Sequence, residues 1–416
     1  MKKNNHEKFV SIKYLNKLIL FLTLFFCVAG ALLILDASSI SSVLTYGFDT
    51  PYYYFIRQII FIVLGFVLSL IIINYNTKLY MITSLFLSGF FIIMLIIAFV
   101  KSSLFSSEVN EVTLSMFGGR FQPAEFLKVL LIMYMGSFYG SWVNRTKKNK
   151  YSFLIPLIPC GIALILIALG GDLGSAAIML ALYALVFMAV PTKEKLFRIF
   201  KLIAACGLIF SVLVLKFAYV FIPESVLESS YRLNRFIYKN PCDRYEENSG
   251  YQVCNGYIAI DNGGLFGVGP GKSVQKYMYL PASHTDFIFP IVVEELGTIV
   301  GVVIILAYMF LIGLVFKVAL NTKNLQNSII CYGIGIYFML HIFVNLGGVL
   351  GIIPLTGVPL PFLSYGGSFC ITIICSFAIV QRIHIENEIE RHKNAWYLVF
   401  FVLLSYCLIR CIFMYD

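Results

Sequence analysis

The sequence predicts an all-α, polytopic membrane protein of ten transmembrane helices, on the strength of its composition, the length of its apolar runs and the placement of its positive charges. Of 416 residues, 60% are hydrophobic and 12% charged, and the mean hydropathy is +0.88, far outside the usage of soluble domains. Apolar runs of about twenty residues recur along the chain, the length an α-helix needs to cross a bilayer's hydrocarbon. Such runs must be helical, because lipid cannot satisfy open backbone polar groups. The net charge of +10 gathers at Lys2, Lys3, Lys8, Lys13 and Lys17, at Arg145, Lys147, Lys148 and Lys150, at Lys193, Lys195, Arg198 and Lys201, and at Arg382, Arg391 and Lys393. These clusters fall in every second connection, the positive-inside pattern beside an anionic leaflet. The basic balance is therefore a topology signal: the N-terminus is expected in the cytoplasm, and no nucleic-acid partner is expected.

In order, the expected spans are 18–36, 55–73, 79–100, 122–142, 152–169, 174–191, 199–222, 287–316, 326–351 and 362–382. The first run, Leu18 to Leu35, has no small-x-small cleavage site after it and more spans follow, so it reads as an uncleaved first span. Residues 1–17 form a cytoplasmic tail, 18–382 the membrane domain and 383–416 a C-terminal extension. Within the membrane domain, 223–286 is a long extracytoplasmic loop between spans 7 and 8. The run Ala395 to Ile409 reads either as an eleventh span, with Arg410 snorkelling to the interface, or as an interfacial helix. No internal repeat of the inverted-repeat transporter kind is visible. Of ten cysteines, only Cys242 and Cys254 fall in a loop between the expected spans, with Cys407 and Cys411 in the C-terminal extension. The first two lie in the long outer loop, where they form either a loop-closing disulfide or two free thiols.

Five motifs carry candidate chemistry. "RFQPAEFLK" (120–128) sets Pro123 at a helix start, with Glu125 and Lys128 on one helical face. The pair is either an interfacial salt bridge or the wall of a cavity, since both groups are costly in lipid. "GGDLGS" places Asp172 at a helix N-terminus, where a carboxylate suits the dipole. "GVGPGKS" differs from a phosphate loop by Phe266, where that pattern requires glycine. Its glycines would permit tight turns near a large ligand, and Lys272 would meet a phosphate as a point charge. "LPFLSYGGS" (360–368), with Ser364, is either a broken helix turn or exposed backbone lining a cavity.

The fifth motif is "YLPASHTDFIFPIVVEELG" (279–297). His284 has no companions at zinc-ligand spacing. Asp286 is either a helix cap or a general base for a hydroxyl held at the membrane face. Glu294 and Glu295 fall eight and nine residues on, about 12–14 Å deeper along a regular helix. They are expected to be interior charges seeking partners such as Lys128.

These segments, in this order and spacing, resemble the SEDS family of bacterial membrane proteins (shape, elongation, division and sporulation; RodA-, FtsW- and SpoVE-like). The match runs from the first span to about Arg382 and is densest over 250–297. The resemblance implies a ten-span fold and a peptidoglycan glycosyltransferase. Such an enzyme polymerises lipid II, a disaccharide-pentapeptide on undecaprenyl pyrophosphate, at the outer face of the plasma membrane. It implies a class B penicillin-binding protein as partner, in division, elongation or sporulation. The family's essential Asp in "HTDFIF" corresponds to Asp286, and its Glu and Lys in "QPAEFLK" to Glu125 and Lys128 in a central cavity. The family commonly reads "LPEAHTDF", whereas Ala282 and Ser283 follow Pro281 here, so one nearby carboxylate is absent.

Displacement of pyrophosphate by a sugar hydroxyl needs one base and positive charge against the leaving group. Arg120, Lys128, Arg232, Lys272 and Lys276 are the candidate cations, a divalent cation such as Mg2+ is a further candidate, and His284 and Ser364 complete the expected substrate-binding set. The competing readings are a lipid II flippase without bond chemistry and a non-catalytic scaffold that activates a transpeptidase.

Overall fold

The computed structural model describes residues 13–44, 50–105, 114–116, 119–145, 149–221, 240–245 and 248–413. Each of the ten expected segments falls on a helix: α1 (Lys17–Leu44), α2 (Tyr53–Asn74), α3 (Tyr80–Phe105), α4 (Pro123–Val143), α5 (Leu157–Leu169), α6 (Leu173–Ala189), α7 (Lys195–Phe221), α9 (Ile288–Asn321), α10 (Leu325–Val349) and α11 (Gly367–Phe413). Counting the 3-10 turns that lead into α3 and α5, nine helices among the described residues are long and apolar enough to cross a membrane. The exception is α6, with 17 residues. The long connection between α7 and α9 contains a further helix, α8 (Asn248–Gly263), and a two-stranded ribbon, β1 (Leu114–Met116) with β2 (Gly119–Phe121), precedes α4.

The helices sort by what surrounds them. The apolar windows of α4, α10 and α11 are 78%, 72% and 83% buried, whereas that of α7 is 6% buried. The first three form the centre of the bundle, and α7 turns its hydrophobic residues to lipid, which costs nothing in hydrocarbon. Close packing at the centre uses small residues: Gly136 and Gly140 of α4 lie against Ile330 and Gln326 of α10. The last helix begins at Gly367 rather than 362 because Pro354, Pro359 and Pro361 withhold backbone donors and Phe362 adopts a left-handed φ of 65°. It then runs on for 47 residues, about 70 Å. The hydrophobic run 395–409 is a continuation of that helix, with no turn to fold it back as a separate crossing.

Hydrogen bonds define the two faces of the bundle. On one, Glu386 accepts from Thr77 Oγ1 (2.6 Å), Asn327 Nδ2 (3.1 Å) and Arg382 Nη2 (2.7 Å), while Gln381 exchanges two bonds with the Asn16 backbone. This gathers the starts of α1 and α10, the α2–α3 turn and α11. On the other face, Asp172 caps α6 through Ser175 N (2.9 Å), Ser368 Oγ accepts from Gln122 N (3.0 Å), and α8 packs along the first turns of α9.

Cys242 and Cys254 form a disulfide, with Cα atoms 5.0 Å apart. It ties the 3-10 turn Pro241–Arg244 to α8, whose Gly250 lies against the carbonyls of Arg244 and Pro241. Closing so short a loop removes denatured-state entropy, so the Cys242→Ser, Cys254→Ser double variant is expected to lose about 2–3 kcal/mol. Thermal unfolding in detergent, with and without reductant, checks this; a wild-type midpoint that reductant leaves in place would contradict it.

Candidate active site

A tight turn presents Asp286. Ala282 is left-handed (φ 55°), and its carbonyl accepts the N–H groups of Thr285 (3.0 Å) and Phe287 (3.3 Å). The turn is held from four sides. Gln252 of α8 donates to Pro281 O (3.2 Å), and Ser283 Oγ to Ala37 O of α1 (3.2 Å). Tyr365 N, from the loop before α11, donates to His284 O (2.9 Å). Asn345 of α10 donates to Asp286 O (2.8 Å). The N-cap of α9 is Phe287, with no side-chain cap. The half-buried Asp286 carboxylate instead accepts from Thr285 Oγ1 (2.8 Å).

His284 is buried against Tyr54, with ring centroids 4.5 Å apart, and Nδ1 finds no hydrogen-bond partner among the described residues. Burial pushes its imidazole from the ordinary 6.5 down to about 4. The folded protein therefore holds it neutral while the unfolded chain protonates it below about 6.5. The stability this contributes is present above that pH and is lost as pH falls towards 4, by roughly 3 kcal/mol. Thermal midpoints measured from about pH 7 to 4 should drop more steeply for wild type than for His284→Gln; parallel slopes would contradict the assignment.

The two glutamates stay near the turn that carries Asp286 rather than pairing with Lys128. Gly297 interrupts α9 with a φ of 87°, and a Cβ there would collide with the Leu265 carbonyl. The short helix 288–296 that precedes this break stays at the face of the bundle that carries Asp286. Asp36, bridged to Glu295, lies about 28 Å along α1 from Lys17, and Asn345 lies about 30 Å along α10 from Leu325. Glu295 therefore sits near the height of Asp286. The partners of both glutamates come from the "GPGKSVQK" loop rather than from Lys128. Glu295 accepts from Gly271 N (3.0 Å), Ser273 N (3.2 Å) and Lys276 Nζ (2.8 Å). Glu294 accepts from Ser273 Oγ, Val274 N (3.2 Å) and Gln275 N (3.3 Å). The glycine-rich loop is an anion-binding nest, and the anions it holds are the chain's own carboxylates.

The remaining candidates separate. Lys276 is buried between Asp36 Oδ1 (2.7 Å) and Glu295, while Lys272 is exposed on the same loop. Glu125 and Lys128 pair at 2.7 Å with essentially no exposure, so they are enclosed rather than on the wall of an open cavity. Tyr337 and His341 of α10 close over them, each 3.5 Å from its partner. Ser364 is buried and its Oγ accepts from Leu360 N (2.8 Å), closing its own turn. Arg120 lies on β2 with its side chain outside the described part, and Arg232 lies outside the described residues. Asp36, His341 and Asn345 escaped the sequence reading, embedded as they are in apolar runs. For the last two the available signal is the four-residue spacing Tyr337, His341, Asn345. Among the described residues no three His, Cys, Asp or Glu side chains converge as a metal site.

The chain matches the family described as cell cycle protein, FtsW, RodA and SpoVE, over residues 16–389. It is similar to the probable peptidoglycan glycosyltransferase FtsW of Enterococcus hirae, with 34% identity covering 88% of this chain and 91% of that one. Its identity to stage V sporulation protein E of Bacillus subtilis is 29%, covering 88% and 96%. Among solved structures it resembles a chain of a peptidoglycan synthase complex that coordinates polymerization and crosslinking, with TM-score 0.66, 20% identity and coverage of 89% and 97%. RodA of Thermus thermophilus aligns with TM-score 0.59, 21% identity and coverage of 89% and 96%.

Proposed function

The chain belongs to the FtsW, RodA and SpoVE family of cell cycle proteins, and on that premise we propose that it is a peptidoglycan glycosyltransferase that polymerises lipid II, with Asp286 as general base. The observation that carries this reading is the half-buried Asp286 carboxylate at the loop face of the bundle, on a turn fixed by α1, α8, α10 and the loop before α11. With the N-terminus in the cytoplasm, as the charge pattern suggests, that face is the extracytoplasmic one, where lipid-linked sugars are polymerised.

The acceptor hydroxyl gives its proton to Asp286 as its oxygen bonds to the donor's anomeric carbon. The bond from that carbon to pyrophosphate breaks with inversion, and the electron pair leaves on the phosphate oxygen. A stabilised anion needs no proton, so no second carboxylate is required, unlike inverting glycoside hydrolysis. Exposed Lys272 is the cation on the site's own loop that a pyrophosphate can reach, whereas Lys128 and Lys276 are enclosed by carboxylates. A class B penicillin-binding protein is the proposed partner, in keeping with the synthase complex that contains a chain of this fold.

Purified protein with such a partner and labelled lipid II is expected to produce glycan ladders that disappear with Asp286→Asn. Ladders that persist in that variant sink the general-base reading. Their absence from folded wild type leaves a transporter or a scaffold.

A further inference from the structure

We propose that Asn345 is the positioning residue that sets Asp286 for proton transfer. This rests on Asp286 as base and adds a residue whose role is distinct from it. On α10, Tyr337, His341 and Asn345 recur every four residues and so share one face of the helix. Each meets a residue of the candidate site: Tyr337 OH faces Glu125 Oε2, His341 Nε2 faces Lys128 Nζ, and Asn345 Nδ2 donates to the Asp286 main-chain carbonyl. A polar stripe inside an otherwise apolar helix is costly unless each member is engaged. Two of the three engage the enclosed ion pair, and of the three only Asn345 reaches the residue that carries the half-buried carboxylate.

The Asn345 contacts are specific. Its carboxamide nitrogen donates to Asp286 O (2.8 Å) and to Val358 O (2.7 Å). Both partners are carbonyls, so only the NH2 end can face them, and the amide orientation is fixed by chemistry. Asn345 is buried, and its Oδ1 has no partner among the described residues. Through Val358 the same amide grips the loop before α11, whose Tyr365 N bonds His284 O. One side chain thus joins the two segments that flank Asp286. Because the bond is to the Asp286 main chain, and the N-cap Phe287 makes no side-chain cap to α9, its loss removes the one of the four anchors that acts on Asp286 itself. Displacement of a base by about 1 Å costs up to roughly 100-fold in turnover.

The test compares lipid II polymerisation by the full chain with its partner for wild type, Asp286→Asn, Asn345→Ala and the near-isosteric Asn345→Asp, which lacks the N–H donors. Thermal midpoint and binding of labelled lipid II are followed alongside to identify folded protein. For both Asn345 variants kcat is expected to fall about 10- to 100-fold with KM within about twofold. The acidic limb of the pH–kcat profile should also move, which a mere loss of folded protein would not do. If Asp286→Asn keeps polymerising, the base reading fails and this proposal with it. If Asp286→Asn is inactive while both Asn345 variants keep wild-type kcat, only the positioning role is overturned. A rise in KM at unchanged kcat, or a fall in kcat with the pH limb unmoved, overturns it as well.

Discussion

Lys276→Met is expected to destabilise the protein by about 3–5 kcal/mol, because it strands two carboxylates that share one ammonium. Lys276 Nζ lies 2.7 Å from Asp36 Oδ1 and 2.8 Å from Glu295 Oε1, and the lysine side chain is 3% exposed. These contacts are where α1, the glycine-rich loop and the short first helix of α9 meet. Glu295 would keep the N–H groups of Gly271 and Ser273, whereas Asp36 would lose its ammonium partner. Adding Glu295→Gln to Lys276→Met should recover part of the loss, a coupling that a double-mutant cycle in denaturant or heat reads directly. A loss below about 1 kcal/mol for Lys276→Met would mean that water reaches the triad and screens it.

The second large effect is expected at the Glu125–Lys128 pair. Lys128→Met leaves Glu125 enclosed without its counter-charge, at about 3–5 kcal/mol, whereas replacing both members by uncharged groups is often neutral. The Glu125→Gln, Lys128→Met double variant should therefore unfold near the wild-type temperature while the single Lys128→Met variant does not. Glycan synthesis by that stable double variant then separates the roles. Wild-type ladders would make the pair purely architectural, and their loss in folded protein would place it in the machinery. Equal melting of the single and double variants would contradict the enclosed-pair geometry.

The helical bundle was legible because twenty-residue apolar runs and alternating basic clusters follow directly from bilayer thickness and leaflet charge. The Asp172 cap and the outer cysteine pair were visible for equally local reasons. Asp286 stood out only through its neighbours in "HTDFIF". The fate of Glu294 and Glu295 was not legible, because their position in the bundle is set by the loop that folds back onto them and by the helix ending at Gly297, and hydropathy registers neither. Their partner was hidden for a related reason: Lys276 and the glycines before it resemble a phosphate cradle, and nothing local says that the anion is supplied by the same chain twenty residues on. Asn345 and His341 sit in "YFMLHIFVNLGG", where each polar residue alone reads as a tolerated interruption. Only the fold shows that their common face meets Lys128 and the main chain of Asp286.

The nest around Glu294 and Glu295 has a consequence for solution behaviour. Its anion is tethered by about twenty residues of chain, so it competes at an effective concentration in the millimolar range or above. It also arrives with its desolvation already met by folding. Free phosphate, sulfate or nucleotide in the buffer therefore faces a receptor that is already saturated. Raising their concentration should leave the thermal midpoint where general salt effects put it. A glycine-rich, lysine-bearing loop of this kind acts as an internal latch, and its resemblance to a nucleotide-binding sequence reflects a shared way of aiming backbone N–H groups at negative charge rather than a shared ligand.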